Sequence, residues 1–182
     1  MPLPTPAPRL VGPRISLRAL ESRDEPALFE IHSDPDVMRY WSSPPWSDPA
    51  QAAAMLERDA ASAGSHYRWG VADPDDRVVG TVSLFRDDEQ SRRMELGYVL
   101  GRPAQGRGWA TEAVGLALDH AFGGIGLHRV EADTDPRNVR SCALLERLGF
   151  VREGTLRERW IVADEVSDTA LYGLLAREWR AR

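Results

Sequence analysis

One segment constrains the fold of this chain more than any other. Ala110, Ala113, Val114, Ala117, Leu118, Ala121 and Phe122 recur at i, i+3, i+4, i+7, i+8, i+11 and i+12. That period lays a single apolar stripe along one helix, which must be buried against another layer. Gly123-Gly124 ends the pattern. Met94 to Leu100 reads as a strand just before it, and Gln105-Gly106-Arg107-Gly108-Trp109-Ala110 lies between the two. A helix start leaves backbone N–H groups without partners and carries partial positive charge. Glycines at 106 and 108 let an anion approach the main chain with no Cβ in the way. The segment is therefore a candidate phosphate cradle; the alternative is a tight strand-to-helix turn with no ligand.

Two common cradles are excluded. A P-loop ends in Gly-Lys-Ser/Thr, and every basic residue in this chain is an arginine. The dinucleotide fingerprint needs a third glycine where Thr111 stands. The same absence of lysine rules out Schiff-base chemistry.

The remaining pattern alternates strands and helices. Strands are expected at Ile15–Leu20, Tyr67–Ala72, Val78–Phe85, Arg129–Thr134, Val151–Val162 and Thr169–Leu175, besides Met94–Leu100. Helices are expected at Glu21–His32, Ser47–Ala63 and Asn138–Leu148, besides the glycine-bounded one. Tyr40 to Trp46, with Pro44 and Pro45, reads as a loop. This predicts an α+β fold: a central, mostly antiparallel sheet of about six to seven strands flanked by about four helices. The 182 residues suit one domain, 14–182, after a proline-rich, flexible lead-in at 1–13.

The net charge of −5 argues against a nucleic-acid binder and suits a cationic partner. No apolar run is long enough to span a membrane, and no apolar signal core is visible, so a cytoplasmic protein is expected. A lone cysteine, Cys142, forbids an intrachain disulfide and reads as a small core residue. The four histidines stand at no zinc-like spacing, so no metal is expected. Arg140 and Ala143 occupy the glycine positions that a nucleophile elbow around Ser141 would need.

Gln105-x-x-Gly108-x-Ala110 resembles the Q/R-x-x-G-x-G/A signature of the GCN5-related N-acetyltransferase (GNAT) superfamily. Asn138-x-x-Ser141-x-x-Leu144-x-Glu146-x-x-Gly149-Phe150 is similar to a second motif of that family. The Glu95-Leu96-Gly97-Tyr98 strand also looks like it, and the order and spacing resemble the RimJ/RimL-type branch. The resemblance implies a GNAT fold and transfer of acetyl from acetyl-CoA to a primary amine. The acceptor would be a protein N-terminal amine or a small molecule, and the protein a monomer or homodimer. A non-catalytic acyl-CoA-binding module on the same fold is the alternative.

Position by position, the resemblance implies that the main chain of Gln105, Gly106, Arg107, Gly108, Trp109, Ala110 and Thr111 binds pyrophosphate. Main-chain groups of Tyr98, Val99 and Leu100 would pair with the pantetheine arm as an added strand. Asn138 would hydrogen-bond that arm, or simply cap its helix. Ser141 would lie near the sulfur and donate to it as it departs. Glu95 is the candidate base, with Gly97 a bulge point that opens the strand; a surface ion pair is its alternative. Tyr40, Trp41, Glu158 and Trp160, with Trp46, would face the acceptor, or the aromatics form a local packing cluster.

Overall fold

The structure, a computed structural model, describes residues 3, 6–62 and 64–181, and at Arg86 and Asp87 the backbone alone. Its strands are β1 Leu10–Val11, β2 Ser16–Arg18, β3 Tyr67–Ala72, β4 Val78–Asp88, β5 Arg93–Leu100, β6 Arg129–Thr134, β7 Val151–Val162 and β8 Glu165–Leu175. They form one sheet in the order β1-β2-β3-β4-β5-β6-β8-β7. Every neighbouring pair is antiparallel except β5 and β6, which are parallel. Parallel neighbours need a long crossover. Helix α4, Trp109–Asp119, supplies it and continues as π-helical turns over His120–Ile125.

The other helices are α1 Glu25–Ser33, α2 Pro35–Met38, α3 Ala50–Ala61, α5 Val139–Arg147 and α6 Ala176–Arg180. Helices α4 and α5 bury Ala113, Val114, Ala117, Leu118, Leu144 and Leu145 in the main core, with Val82, Leu84, Met94 and Leu96 of the sheet. Leu28 of α1 and Ala52 and Met55 of α3 form a smaller cluster with Val78.

The described residues hold eight strands and six α-helices, against about six to seven and about four expected from the sequence. The extra strand is β1. It lies in the segment expected to be a flexible lead-in, which also has Leu3 buried and the Pro8 carbonyl accepting the Trp69 indole N–H at 2.8 Å. The extra helices are short. In α2, the Asp34 carboxylate caps the N–H groups of Asp36 and Val37, so Asp34-Pro35 starts a short helical turn just after the expected Glu21–His32 helix. The expected Glu21–His32 helix begins as a 3-10 turn, Ser22–Asp24, before α1.

A buried ion pair ties that turn to the sheet. Arg18 Nη1 and Nη2 donate to Asp24 Oδ2 and Oδ1 at 2.8 and 2.9 Å, and both residues are buried. Asp24 also accepts the Glu21 N–H at 2.9 Å. Burial alone would raise the Asp24 carboxyl, but the Arg18 hydrogen bonds and the Glu21 N–H hold it below the usual range.

The feature that positions the site is a split in the sheet. Strands β5 and β6 pair only over Arg93–Glu95 and Arg129–Glu131. Beyond Glu95 no pairing continues, and β5 runs on alone against β4. The expected bulge at Gly97 is absent: β4 and β5 pair without a shift from Leu100 to Glu95, and the irregularity falls in β4 between Phe85 and Asp88. The gap therefore comes from divergence of two strands, and no kink in β5 is needed.

Candidate active site

The glycine-rich turn stands at the end of β5. Gln105 anchors it by donating from Nε2 to the Leu100 carbonyl at 2.9 Å. Gly106 and Gly108 have φ of +75° and +76°, a region that costs other residues about 1–2 kcal/mol. Gly108 is the N-cap of α4 and offers no side chain to the first turn. The first main-chain bond in the helix is Glu112 N–H to the Gly108 carbonyl, at 3.2 Å. The N–H groups of Trp109, Ala110 and Thr111 thus have no intrahelical acceptor.

Negative charge in that first turn is already committed. Glu112 accepts from Arg14 N–H at 2.8 Å, Arg14 Nε at 2.7 Å and Ile15 N–H at 3.2 Å. Arg14 Nη1 also donates to the Arg107 carbonyl at 2.9 Å, and the Arg107 guanidinium lies over the Trp109 ring. A Cβ built at Gly106 meets nothing within 4 Å, so the turn is open on that side. Open space, unpaired N–H donors and two arginines fit a pyrophosphate.

The gap extends from Glu95 to this turn. Gly101 N–H donates to the Val79 carbonyl of β4 at 2.9 Å. Pairing alternates along a strand, so the main-chain groups of Val99 and Gly97 also face β4, and those of Tyr98 and Leu100 face the gap. Of the three residues expected to line it with main chain, Tyr98 and Leu100 are so directed and Val99 is turned away. Across the gap lies α5. Its N-cap, Asn138, accepts the Ser141 N–H at Oδ1 over 3.1 Å, which leaves its amide N–H groups for other acceptors. Tyr98 Oη lies 2.7 Å from Ser141 Oγ and 3.5 Å from the Ser141 carbonyl.

A cavity of about 280 Å³ opens where the strands part. Arg68, Ser83, Glu95 and Gly97 line one side, on the sheet face that also carries Thr81; Asp133, Asp135 and Thr169 line the other. Asn138, Ser141 and Tyr98 stand at the gap, and Tyr40, Trp41 and Trp160 cover the opening. Trp160 Nε1 donates to Thr169 Oγ1 at 3.1 Å, so that hydroxyl directs its own hydrogen to Asp133 Oδ2, at 3.4 Å. Burial would raise the Asp135 carboxyl, but the guanidinium of Arg137 and its N–H hold it below the usual range. Burial pushes the Tyr98 phenol up to about 12, opposed in part by its bond to Ser141.

Two expected acceptor residues lie elsewhere. Glu158 is exposed on a bulge of β7, with φ +51° and its N–H donated to Asp168 Oδ1 at 2.8 Å, and it does not line the cavity. Trp46 stacks on His32 at 4.4 Å between ring centroids and joins the smaller cluster. Conversely, Asp133, Asp135, Arg68 and Thr169 were not singled out from sequence. Asp133 had a readable signal: in the strand Arg129–Thr134 it shares a face with Glu131. Among the described residues, no group of three or more His, Cys, Asp or Glu side chains could hold a metal. No helix among them is long and apolar enough to cross a membrane.

Known proteins share the sequence pattern and the fold. Residues 14–151 match the acetyltransferase (GNAT) domain family. An uncharacterized N-acetyltransferase, p20 of Bacillus licheniformis, is 35% identical over 169 residues, 91% of this chain and 95% of that protein. The spermidine N(1)-acetyltransferase of Escherichia coli K12 is 26% identical over 148 residues, 81% of this chain and 78% of its own length. The structure of spermidine N-acetyltransferase from Vibrio cholerae in complex with CoA and spermine superposes with a TM-score of 0.85 at 24% identity, over 93% of this chain and 99% of that one, and shows the common fold. The turn at Gly106–Gly108, the parted strands and the match along 14–151 thus agree, and the chain belongs to the GNAT family as an acetyl-CoA-dependent N-acetyltransferase.

Proposed function

We propose that this enzyme acetylates a small amine that carries a second cationic group, by direct attack on acetyl-CoA and without an acyl-enzyme. The observation that carries this reading is the cavity itself. Glu95, Asp133 and Asp135 line a space of about 280 Å³ at the gap; among the described residues Arg68 is the one arginine of that lining, and Arg137 already pairs with Asp135 at 2.6 Å. Arg68 is already bonded to Asp59 at 2.7 Å. Aromatic rings at Tyr40, Trp41 and Trp160 add faces that attract cations. The relatives that acetylate spermidine support the same acceptor class. A RimJ/RimL-type role would put a protein N-terminal α-amine here; the carboxylates of Glu95 and Asp133 in the lining favour the small cation. A cytoplasmic location suits such an acceptor.

In this reading the main chain of Gln105 to Thr111, with Arg107, holds the pyrophosphate. Tyr98 and Leu100 pair with the pantetheine arm through their main chains, and Asn138 donates its amide N–H groups to it. Acetyl-CoA supplies the activated acyl group. Glu95 takes the proton that the attacking amine must lose, and Ser141 donates to the departing sulfur. Asp133, oriented by Thr169, holds the distal charge of the acceptor.

The test is thiol release across a matched panel of alkyl monoamines, alkyl diamines and a peptide with a free N-terminus. Diamines should exceed monoamines of equal length at least about tenfold in kcat/KM, and Asp133→Asn should remove most of that preference, the size of one charged hydrogen bond. A peptide acetylated faster than every diamine would overturn the acceptor assignment.

A further inference from the structure

We infer that Tyr98 supplies the proton that Ser141 passes to the departing sulfur, so the acid of this site originates on strand β5 and not on helix α5. The inference rests on the transfer reading above. It begins from the pairing of the two hydroxyls across the gap. Tyr98 Oη is 2.7 Å from Ser141 Oγ, the length of a good O–H···O bond, and 3.5 Å from the Ser141 carbonyl, at the limit of one. Either hydroxyl can donate across that distance; in the transfer the phenol donates to Oγ. Ser141 is then an acceptor on its Tyr98 side, and its own hydrogen turns elsewhere, into the cavity that both residues line. The Asn138 bond to the Ser141 N–H holds residue 141 in the first turn of α5.

The chemistry has one direction. As the C–S bond breaks, its electron pair goes to sulfur, and sulfur takes the Ser141 proton. Ser141 takes the Tyr98 proton in the same movement. The amine nitrogen gives up its proton to Glu95 as the C–N bond forms. After the products leave, Glu95 returns a proton to solvent and the Tyr98 phenolate recovers one, so the ledger closes on amine plus thioester giving amide plus thiol. The phenol is protonated at neutral pH, and burial raises it further, to about 12. A free thiol titrates near ~8.5, so the transfer occurs with bond cleavage and not as a separate equilibrium. Tyr98 acts through Ser141 and is a positioning residue in that sense.

Tyr98→Phe keeps the ring that packs against the core and deletes only the hydroxyl. It should lower kcat about a hundredfold, the lower range for removing a proton-transfer group. KM for acetyl-CoA should stay within about threefold, and the double variant Tyr98→Phe/Ser141→Ala should lose no more than the worse single one, because both act on one proton path. A packing role would instead raise KM or lower the unfolding midpoint with kcat kept. Unchanged kcat in Tyr98→Phe, a loss confined to KM, or losses that multiply in the double variant would each overturn the inference. Wild-type protein that releases no thiol with any amine would sink the transfer reading and this inference together, whereas equal kcat in wild type and Tyr98→Phe sinks this inference alone.

Discussion

Glu95→Gln should lower kcat for amine acetylation by about 10²–10³-fold at neutral pH, with little change in the affinity for acetyl-CoA. Glu95 stands at the last paired residue before β5 and β6 diverge, so its side chain lies at the apex of the gap. An alkylammonium titrates near ~10.4, and almost none of it is the nucleophilic free amine at pH 7. Glutamine keeps the shape of the side chain but cannot take the proton. The sign of the pH dependence follows. Each unit of rising pH supplies about tenfold more free amine, so the deficit of the variant should shrink toward high pH. Initial rates of thiol release from pH 6 to 10 check this. A deficit that is constant with pH would leave Glu95 a role in binding and none as a base.

Asp24→Ala should destabilise the fold by about 3 kcal/mol, the low end for removing one partner of a buried pair. Arg18 would stay buried with its charge, and only part of its bonding survives. Its Nε reaches Asp76 Oδ1 at 3.1 Å, its Nη2 the Asp76 carbonyl at 3.0 Å and its Nη1 the Ala19 carbonyl at 3.0 Å. Those contacts are why the low end applies. The folded-state Asp24 carboxyl lies below its unfolded value of ~3.9. Its contribution is therefore complete above that value and is lost as pH falls through the lower folded one. Urea unfolding should show a lower midpoint for Asp24→Ala at pH 7, with the difference narrowing below about pH 4. A variant as stable as wild type at pH 7 would mean that the ion pair contributes nothing.

Much of the fold was legible because its signals are local. The period of Ala110 to Phe122 located α4, and the glycines at 106 and 108, read as letting an anion approach, adopt the left-handed conformation. Strand β3 and strand β6 have the bounds read from sequence. The divergence of β5 from β6 was not legible, since nothing in either strand alone says where their pairing stops. The sequence reading therefore placed the opening at Gly97, one short step from Glu95, where it begins.

Side-chain encounters were the least legible. Tyr98 was read for its main chain, because a strand residue meets a helix serine 43 positions later only through tertiary packing. Glu158 was expected to face the acceptor with Trp160, but a bulge between Leu156 and Trp160 breaks the alternation that would keep both on one face. Asn138 caps α5 with its oxygen, the plainer of its two readings, and the residue also lines the cavity. Helices α2 and α6, of four and five residues, are too short to carry a period.

Direct transfer across the gap is tested most plainly by rapid quench of the protein with acetyl-CoA and an alkyl diamine, followed by mass spectrometry of every species. Thiol and acetylated amine should appear together in equal amounts, with the protein mass unchanged at all times. Thiol that appears ahead of acetylated amine, with an acetyl group on Ser141 or Cys142, would contradict the account.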